Sequence, residues 1–261
     1  MKLCRFQSSA GPVFGRVVDD WVAPLSGDPF SRPREAGAAL PLASVTLLPP
    51  TLPSTFFCAG LNYGRHIEEA LKRGNTAAKM PERPDVGHRA NNALIGHGAA
   101  IVKPADYEGR FEYEAELVAV IGRTLSRVSR AEAEDGIFGW TIGNDVSARG
   151  WQHGDRTMWR GKNSDTFKPM GPWIDTEASP MGGDTRVFVN GEMTSCFPTG
   201  AMIFDAIDFI TEISRYVTMQ PGDVLWLGTD GMGAIAPGDT VDIEIDGLAR
   251  LSNPVVAGPD F

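Results

Sequence analysis

Two glutamates, Glu114 and Glu116, stand one residue apart in the segment FEYEAELVAVIG, which otherwise has the composition of a buried β-strand. Side chains alternate between the two faces of a strand, so both carboxylates point to the same face. Taking ionised carboxylates out of water costs several kcal/mol per ion unless a positive partner compensates, so the pair calls for a cation. The alternative is a solvent-facing strand edge, on which acidic side chains need no partner.

A third carboxylate, Asp145, lies in the segment GNDVSARGWQ, which is predicted to form a turn. Three carboxylates and water molecules make an all-oxygen site, which suits a hard divalent ion such as Mg²⁺ or Mn²⁺ better than zinc. Taken alone, an aspartate in a turn is more often a turn or capping residue than a metal ligand.

Two further segments carry side chains suited to catalysis. Lys162 lies in the polar segment WRGKNSDTF, which is predicted to be a glycine-containing loop and in which it is equally compatible with a solvated surface lysine. His66 and Glu69 are three residues apart in GRHIEEALKR, a predicted short helix, so they share one side of it and could act as a general-base pair. The next segment, GNTAAKMPERPDVGHR, lacks a hydrophobic period and is predicted to be a mobile loop. Residues 64–90 are therefore expected to form a lid.

The remaining pattern predicts a mixed α/β chain that is mostly β. Residues 1–48 read as short strands and turns of a small N-terminal subdomain, and the proline-rich linker LLPPTLPS separates them from a catalytic domain over 55–257. Ser129 is a predicted N-cap of a helix over SRAEAEDGIFGW, followed by a polar turn over TIGNDVSARG. The segments PGDVLWLGT and PGDTVDIEIDG each predict a turn and a strand. A packing helix is predicted over MIFDAIDFITEISRYV, with one face formed by Ile203, Ile207, Ile210, Ser214 and Val217.

Composition excludes several classes of function. The chain has 261 residues, 42% of them hydrophobic, and a net charge of -9 without a basic cluster, which argues against a nucleic-acid partner. Its cysteines, Cys4, Cys58 and Cys196, lack metal-ligand spacing and indicate a reducing cytoplasm. No apolar run is long enough to span a bilayer, so no membrane partner is expected. No GxGxxG, P-loop or GxSxG motif occurs, which disfavours nucleotide binding and serine hydrolysis.

The chain resembles the fumarylacetoacetate hydrolase superfamily, which includes acylpyruvases and 2-hydroxyhepta-2,4-diene-1,7-dioate isomerases. The resemblance extends from about residue 56 to residue 256, in the order and spacing of that superfamily. It rests on FFCAGLNYGRHIEEA, YEAELVAVIG, GWTIGNDVSARGWQ, GKNSDTFKPMGPW, VNGE, PGDVLWLGT and GDTVDIEIDGLARLSNPV. The resemblance implies a mostly β C-terminal domain with a small N-terminal domain, usually in a homodimer.

The resemblance also implies roles for individual residues. Lys162 matches the lysine that holds the substrate and its developing negative charge, and His66 and Glu69 match a dyad that activates water. The implied metal ligands for Mg²⁺ or Mn²⁺ are Glu114, Glu116 and Asp145, and the implied substrate contacts are Arg149, Gln152 and Thr229. One difference is that Asp230 follows Gly228-Thr229 where many relatives have proline. This difference is expected to affect substrate preference more than the metal.

The leading functional prediction is a metal-dependent hydrolase of a small-molecule 2-oxo acid. It would cleave a C–C bond in a 2,4-dioxo acid of the acylpyruvate type and pass through a metal-stabilised pyruvate enolate. The alternatives are decarboxylation of a β-keto acid such as oxaloacetate, isomerisation of an unsaturated 2-oxo diacid from aromatic catabolism, and a non-catalytic domain with a structural ion. Lys162, His66 and Glu69 together favour an enzyme, since a structural ion site needs none of them.

Overall fold

Twenty strands and five α-helices form the part of the chain that the structure describes. This computed structural model describes residues 1–72 and 79–259, except for the side chains of His66, Glu69 and Ala70. The strands are β1 Lys2–Ser8, β2 Gly11–Val18, β3 Trp21–Ser26, β4 Arg34–Glu35, β5 Leu40–Pro41, β6 Thr46–Leu48, β7 Phe56–Ala59, β8 Val86–His88, β9 Leu94–Ile95, β10 Ile101–Lys103, β11 Phe111–Ile121, β12 Ile137–Asn144, β13 Ser147–Ala148, β14 Lys168–Asp175, β15 Asp184–Val189, β16 Glu192–Pro198, β17 Val224–Trp226, β18 Met232–Ala234, β19 Thr240–Ile245 and β20 Arg250–Ala257. The helices are α1 Gly64–Lys72, α2 Arg130–Glu134, α3 Arg149–Gly154, α4 Trp159–Asn163 and α5 Ala206–Ser214. The mixed, mostly β prediction is confirmed.

The large sheet is built around β11. Its main path runs β4-β3-β2-β1-β14-β12-β11-β17-β7-β8, so β11 has the antiparallel strands β12 and β17 on its two sides. The first residues of β11 pair instead with β13 and β18. Because partners lie along both edges and apolar clusters cover both faces, all eleven residues of β11 are buried.

A second sheet packs against the first and closes the larger core. Its order is β10-β20-β19-β15-β16. Val241, Ile243 and Ile245 of β19 are buried in the same core cluster as Leu117 of β11, which confirms the predicted alternation of this strand. The second sheet therefore covers one face of β11.

The N-terminal strands continue the large sheet. β1 pairs with β14 in the register Leu3↔Ile174, and its other neighbours are β2 and β6. Leu3 belongs to the same buried cluster as Val118 and Trp226. The first 48 residues thus share a sheet and a core cluster with the strand that carries Glu114 and Glu116.

The region after Ser129 differs from its prediction. Ser129 is the N-cap and forms a capping box with Glu132, as predicted. The helix α2 ends at Glu134, however, and Ile137–Asn144 is the strand β12, so the predicted helix was too long and the predicted turn was wrong over Thr141–Asn144. Pairing of this apolar segment with β11 outweighs its local tendency to continue the helix.

The packing helix α5 is shorter than predicted, and its fully buried face agrees with the predicted one only at Ile210 and Ser214. Asp205 accepts a hydrogen bond from the backbone N–H of Asp208 and caps the helix, so Ile203 lies before it. The helix ends at Ser214, and Val217 beyond it is exposed. Its buried residues are Ala206, Phe209, Ile210, Ile213 and Ser214.

The end of the predicted lid is also different. Val86–His88 is a strand that pairs with β7, so this part of the predicted mobile loop belongs to the large sheet. Three residues, VGH, are too few to show a hydrophobic period, which is why the pattern did not predict the strand. Residues 73–78 of the predicted lid lie outside the described residues, and closure of the lid stays a prediction. Among the described helices, none has the length and apolar character needed to cross a membrane.

Candidate active site

The carboxylates of Glu112, Glu114 and Glu116 lie at alternate positions on the central strand β11. Glu114 and Glu116 are 4% and 3% exposed, so the alternative of a solvent-facing strand edge is wrong. The backbone N–H of Glu114 donates to Asn144 Oδ1 at 3.0 Å, which ties this point of the strand to the end of β12. Both carboxylates are therefore buried inside the protein, where charged side chains or N–H donors contact them.

Asp145 joins the glutamates because it directly follows β12. Its backbone N–H donates to the carbonyl of Glu114 at 2.9 Å. A Cβ at Gly143 would lie 2.6 Å from the Trp226 ring, so glycine lets the end of β12 pack this closely. One oxygen from each of Glu114, Glu116 and Asp145 lies within 4.8 Å of the others.

Lys162 bridges two of these carboxylates. Its Nζ lies 2.6 Å from Glu114 Oε2 and 2.9 Å from Asp145 Oδ2, and the side chain is 4% exposed. The residue belongs to the short helix α4, where a loop was predicted, and the alternative of a solvated surface lysine is wrong.

Two more cations bind Asp145, and sequence reasoning missed both. Arg89 Nη2 lies 2.9 Å from Asp145 Oδ2, and Lys168 Nζ lies 2.6 Å from Oδ1. Arg89 follows β8, inside the segment predicted to be a mobile loop, so nothing local indicated its role. Lys168 could have been found, because a lysine within the apolar run FKPMGPW needs a buried partner.

Arg149 is held between two glutamates. Its Nε donates to Glu112 Oε2 at 2.6 Å and its Nη2 to Glu114 Oε1 at 2.5 Å. Its Nη1 donates to Gln152 Oε1 at 2.9 Å, so two predicted substrate-binding residues contact each other. Glu112, which was not predicted, is fully buried and also pairs with Arg110. Substrate binding by Arg149 and Gln152 stays a prediction.

Thr229 lies in a tight turn that touches the third carboxylate. Gly228, with a φ of +82°, donates its N–H to Glu116 Oε2 at 2.8 Å. The Thr229 hydroxyl donates to the carbonyl of Gly231 and accepts from its N–H, which fixes the turn. Asp230 lies 3.8 Å from Arg65 Nε through its Oδ2. Substrate contact by Thr229 stays a prediction.

The pKa values of Glu116 and Asp145 are shifted in opposite directions. Burial, together with the negative charges of Asp145 and Glu114, raises the pKa of Glu116 to about 8. Burial also acts to raise the pKa of Asp145, but Arg89, Lys162 and Lys168 outweigh it and hold the pKa well below its usual range. A divalent cation between these carboxylates would favour the ionised form of Glu116, and an all-carboxylate oxygen set fits Mg²⁺ or Mn²⁺.

His66 and Glu69 lie on α1, but their side chains lie outside the described residues. Their proposed action on water therefore stays a prediction.

Two protein-family models match the chain. Residues 55–256 match the family described as fumarylacetoacetate (FAA) hydrolase, C-terminal, and residues 1–50 match the family described as Rv2993c-like, N-terminal.

Curated relatives match most of the chain. Protein Rv2993c of Mycobacterium tuberculosis is 38% identical over 98% of this chain and 98% of its own length. The 4-hydroxyphenylacetate degradation bifunctional isomerase/decarboxylase of Salmonella dublin is 39% identical, over 77% of this chain and 47% of that protein. The oxaloacetate tautomerase YisK of Bacillus subtilis is 34% identical, over 76% of this chain and 68% of that protein.

Solved structures are similar over the whole chain. A 2-hydroxyhepta-2,4-diene-1,7-dioate isomerase from Mycobacterium marinum has a TM-score of 0.87 and 37% identity, covering 100% of both chains. A maleylpyruvate hydrolase from Sphingobium sp. SYK-6, in complex with manganese(II) ion and pyruvate, has a TM-score of 0.80 and 26% identity, covering 99% of this chain and 100% of the other.

Proposed function

Because the chain belongs to the fumarylacetoacetate hydrolase family, we propose that it is a divalent-metal-dependent enzyme that acts on a 2-oxo acid through the enolate of that acid. The observation that carries the proposal is the group of three buried carboxylates within 4.8 Å, together with the lysine that bridges two of them. A non-catalytic ion site would not need a buried lysine shared between two of its ligands.

Glu114, Glu116 and Asp145 would hold the ion. Mg²⁺ or Mn²⁺ bound there would polarise the oxo group of the substrate as a Lewis acid, an effect worth several kcal/mol. The manganese(II) and pyruvate of the maleylpyruvate hydrolase structure support both the class of ion and the class of substrate.

The charges of the site favour an anionic substrate. The carboxylates do not outnumber the cations that contact them among the side chains that the structure describes: the group of Glu112, Glu114, Glu116 and Asp145 is contacted by Arg89, Arg110, Arg149, Lys162 and Lys168. A divalent ion would make this cluster positive, which attracts a carboxylate although the whole chain carries -9.

Lys162 has a more specific role in this proposal. Its ammonium lies between the carboxylates of Glu114 and Asp145 in a dry environment, where a fixed charge stabilises developing negative charge more strongly than in water. We therefore assign Lys162 a role in stabilising the negative charge of the enolate and not in the initial binding of substrate.

The first candidate reaction is proton transfer between the keto and enol forms of a 2-oxo acid, as in a tautomerase or isomerase. Enolate stabilisation and one acid–base group suffice for this reaction, and relatives with isomerase and tautomerase names support it. The second candidate is hydrolysis of an acylpyruvate, the reaction expected from the sequence. It is favoured by the similarity to maleylpyruvate hydrolase, and it needs His66 and Glu69 to activate water.

A substrate panel tests the proposal. Oxaloacetate, an unsaturated 2-oxo diacid and a series of acylpyruvates are followed by enol absorbance and by pyruvate release, with Mg²⁺ or Mn²⁺ and with EDTA. We expect turnover of at least one substrate that needs the ion. Glu116→Gln should abolish it, whereas Glu108→Gln, the same change at an exposed position, should not. Ion binding without turnover of any 2-oxo acid would overturn the proposal.

A further inference from the structure

Lys168 is a buried lysine that the proposed reaction does not use. It is the first residue of β14 and is fully buried. Its Nζ lies 2.6 Å from Asp145 Oδ1 and donates to the carbonyls of Val146 at 3.1 Å and Phe167 at 3.0 Å. An ammonium group has three N–H donors, so these three acceptors satisfy Lys168 completely.

The two lysines on Asp145 are tied to the protein differently. Within the described part of the chain, the ammonium of Lys162 contacts only the carboxylates of Glu114 and Asp145, and it can exchange partners when a ligand arrives. Lys168 is also bound to the main chain, at the carbonyls of Val146 and Phe167. Leaving Asp145 would uncover a buried charge without an ionic partner, which is strongly unfavourable. We therefore expect the contact of Lys168 with Oδ1 to remain when an ion binds.

This contact limits how Asp145 can bind an ion. Asp145 Oδ1 is occupied by Lys168 and also lies 3.3 Å from Arg89 Nε. Oδ2 is contacted by Arg89 Nη2 and by Lys162, each at 2.9 Å, so it becomes available to an ion only when Lys162 moves away. Glu116 is limited in the same way, because the N–H of Gly228 occupies its Oε2. Ca²⁺ takes six to eight oxygen ligands and often binds both oxygens of a carboxylate, whereas Mg²⁺ demands a near-ideal octahedron of single oxygens.

We propose that Lys168 is a positioning residue that reserves Oδ1, makes Asp145 a one-oxygen ligand and so selects Mg²⁺ or Mn²⁺ against Ca²⁺. The inference rests on the proposed function only in taking Glu114, Glu116 and Asp145 as the metal site. It concerns ion selectivity, which is measured without substrate.

The test is a titration of the metal-free protein with Mn²⁺, Mg²⁺ and Ca²⁺ by calorimetry, with competition against bound Mn²⁺ read by electron paramagnetic resonance. We expect the wild type to bind Mn²⁺ more tightly than Ca²⁺. Lys168→Met keeps much of the side-chain length without the N–H donors. It should shift the ratio of the two affinities toward Ca²⁺ by about tenfold, which is within the range of affinity changes seen when a group that binds a metal ligand is removed.

Lys162→Met is the matched control. It removes the same charge from Asp145, but at Oδ2, and from Glu114 as well, and it leaves Lys168 on Oδ1. A general electrostatic effect would change all ion affinities alike in both variants, whereas the proposal predicts a changed ratio in Lys168→Met alone.

If Lys168→Met does not fold, the test can still be decided. It then uses a second variant, Lys168→Leu, and the ion preference of the wild type. Equal affinity of the wild type for Ca²⁺ and Mn²⁺, or an unchanged ratio in a folded Lys168 variant, would overturn the inference. Failure of the proposed function alone would look different: the ion preference would hold, but no 2-oxo acid would turn over.

Discussion

Asp145 is the residue on which the positive charges of the site converge. Arg89, Lys162 and Lys168 all contact it, within the described part of the chain, and each comes from a different element. The two oxygens are not equivalent, because Lys168 binds Oδ1 and Lys162 binds Oδ2. Substitutions of the two lysines should therefore have different consequences.

Lys162→Met should lower kcat by about 10²–10³-fold and change KM little, the size of effect seen when one preorganised charge stabiliser is removed. The protein should still fold, since Arg89 and Lys168 remain on Asp145. Steady-state kinetics on the substrate found in the panel measures the effect. Lys103→Met, the same change on the second sheet, is the control. A variant with normal kcat would remove Lys162 from the mechanism.

The acidic part of this site could be predicted from the sequence more completely than the basic part. Glu114 and Glu116 are visible because two charges interrupt an apolar strand, and the structure confirms that they are buried beside Asp145. Arg89 could not be found, since it is brought to Asp145 by the pairing of β8 with β7, a contact between segments far apart in the chain. The roles of the residues in catalysis and metal binding stay predictions.

At the scale of elements, the loop between β9 and β10 is fastened to β20. His97 Nδ1 accepts a hydrogen bond from the backbone N–H of Ser252 at 3.2 Å, and Asn253 donates to the carbonyls of Gly96 and Ala99. Nδ1 can accept only when it carries no proton. Burial lowers the pKa of His97, and Asp242 on β19 opposes this in part.

This lowered pKa predicts a loss of stability in acid. A histidine with a depressed pKa in the folded state binds protons more readily when unfolded, so stability is present above the unfolded value of about 6.5 and falls below it. His97→Asn keeps an acceptor oxygen near the position of Nδ1 but does not titrate. Between about pH 7.5 and pH 5.5, the free energy of unfolding, measured with denaturant, should fall less in this variant than in the wild type. Equal losses in both proteins would contradict the assignment.

The elements that were predicted wrongly have one cause in common. Helix α2 stops at Glu134 and α5 begins only after Asp205, because capping and strand pairing fix the ends. Apolar residues such as Ile137 and Ile203 fit a helical period as well as a strand or a loop, and only pairing or packing decides between them. Two strands were predicted correctly: β19, which has clean alternation, and β11, which has the composition of a buried strand.

At the scale of the whole molecule, the N-terminal strands and the site share one sheet. Leu3→Ala, far from the site in sequence, should lower the free energy of unfolding by about 2–5 kcal/mol, as for other buried leucines. Leu40→Ala, at a partly exposed position of the same region, should change it by about 0.5 kcal/mol or less. Unfolding followed by tryptophan fluorescence and circular dichroism should give one shared transition. Two separate transitions, only one of which is shifted by Leu3→Ala, would show that the regions unfold independently.

The most direct test of the whole account is deuterium exchange at C3 of pyruvate in D₂O, followed by NMR. Exchange reports formation of the enolate whichever reaction the enzyme completes. We predict exchange that needs Mg²⁺ or Mn²⁺, stops with EDTA, and is lost in Glu116→Gln but retained in Glu108→Gln. Exchange no faster than that of the ion alone, in a protein that demonstrably binds the ion, would contradict the account.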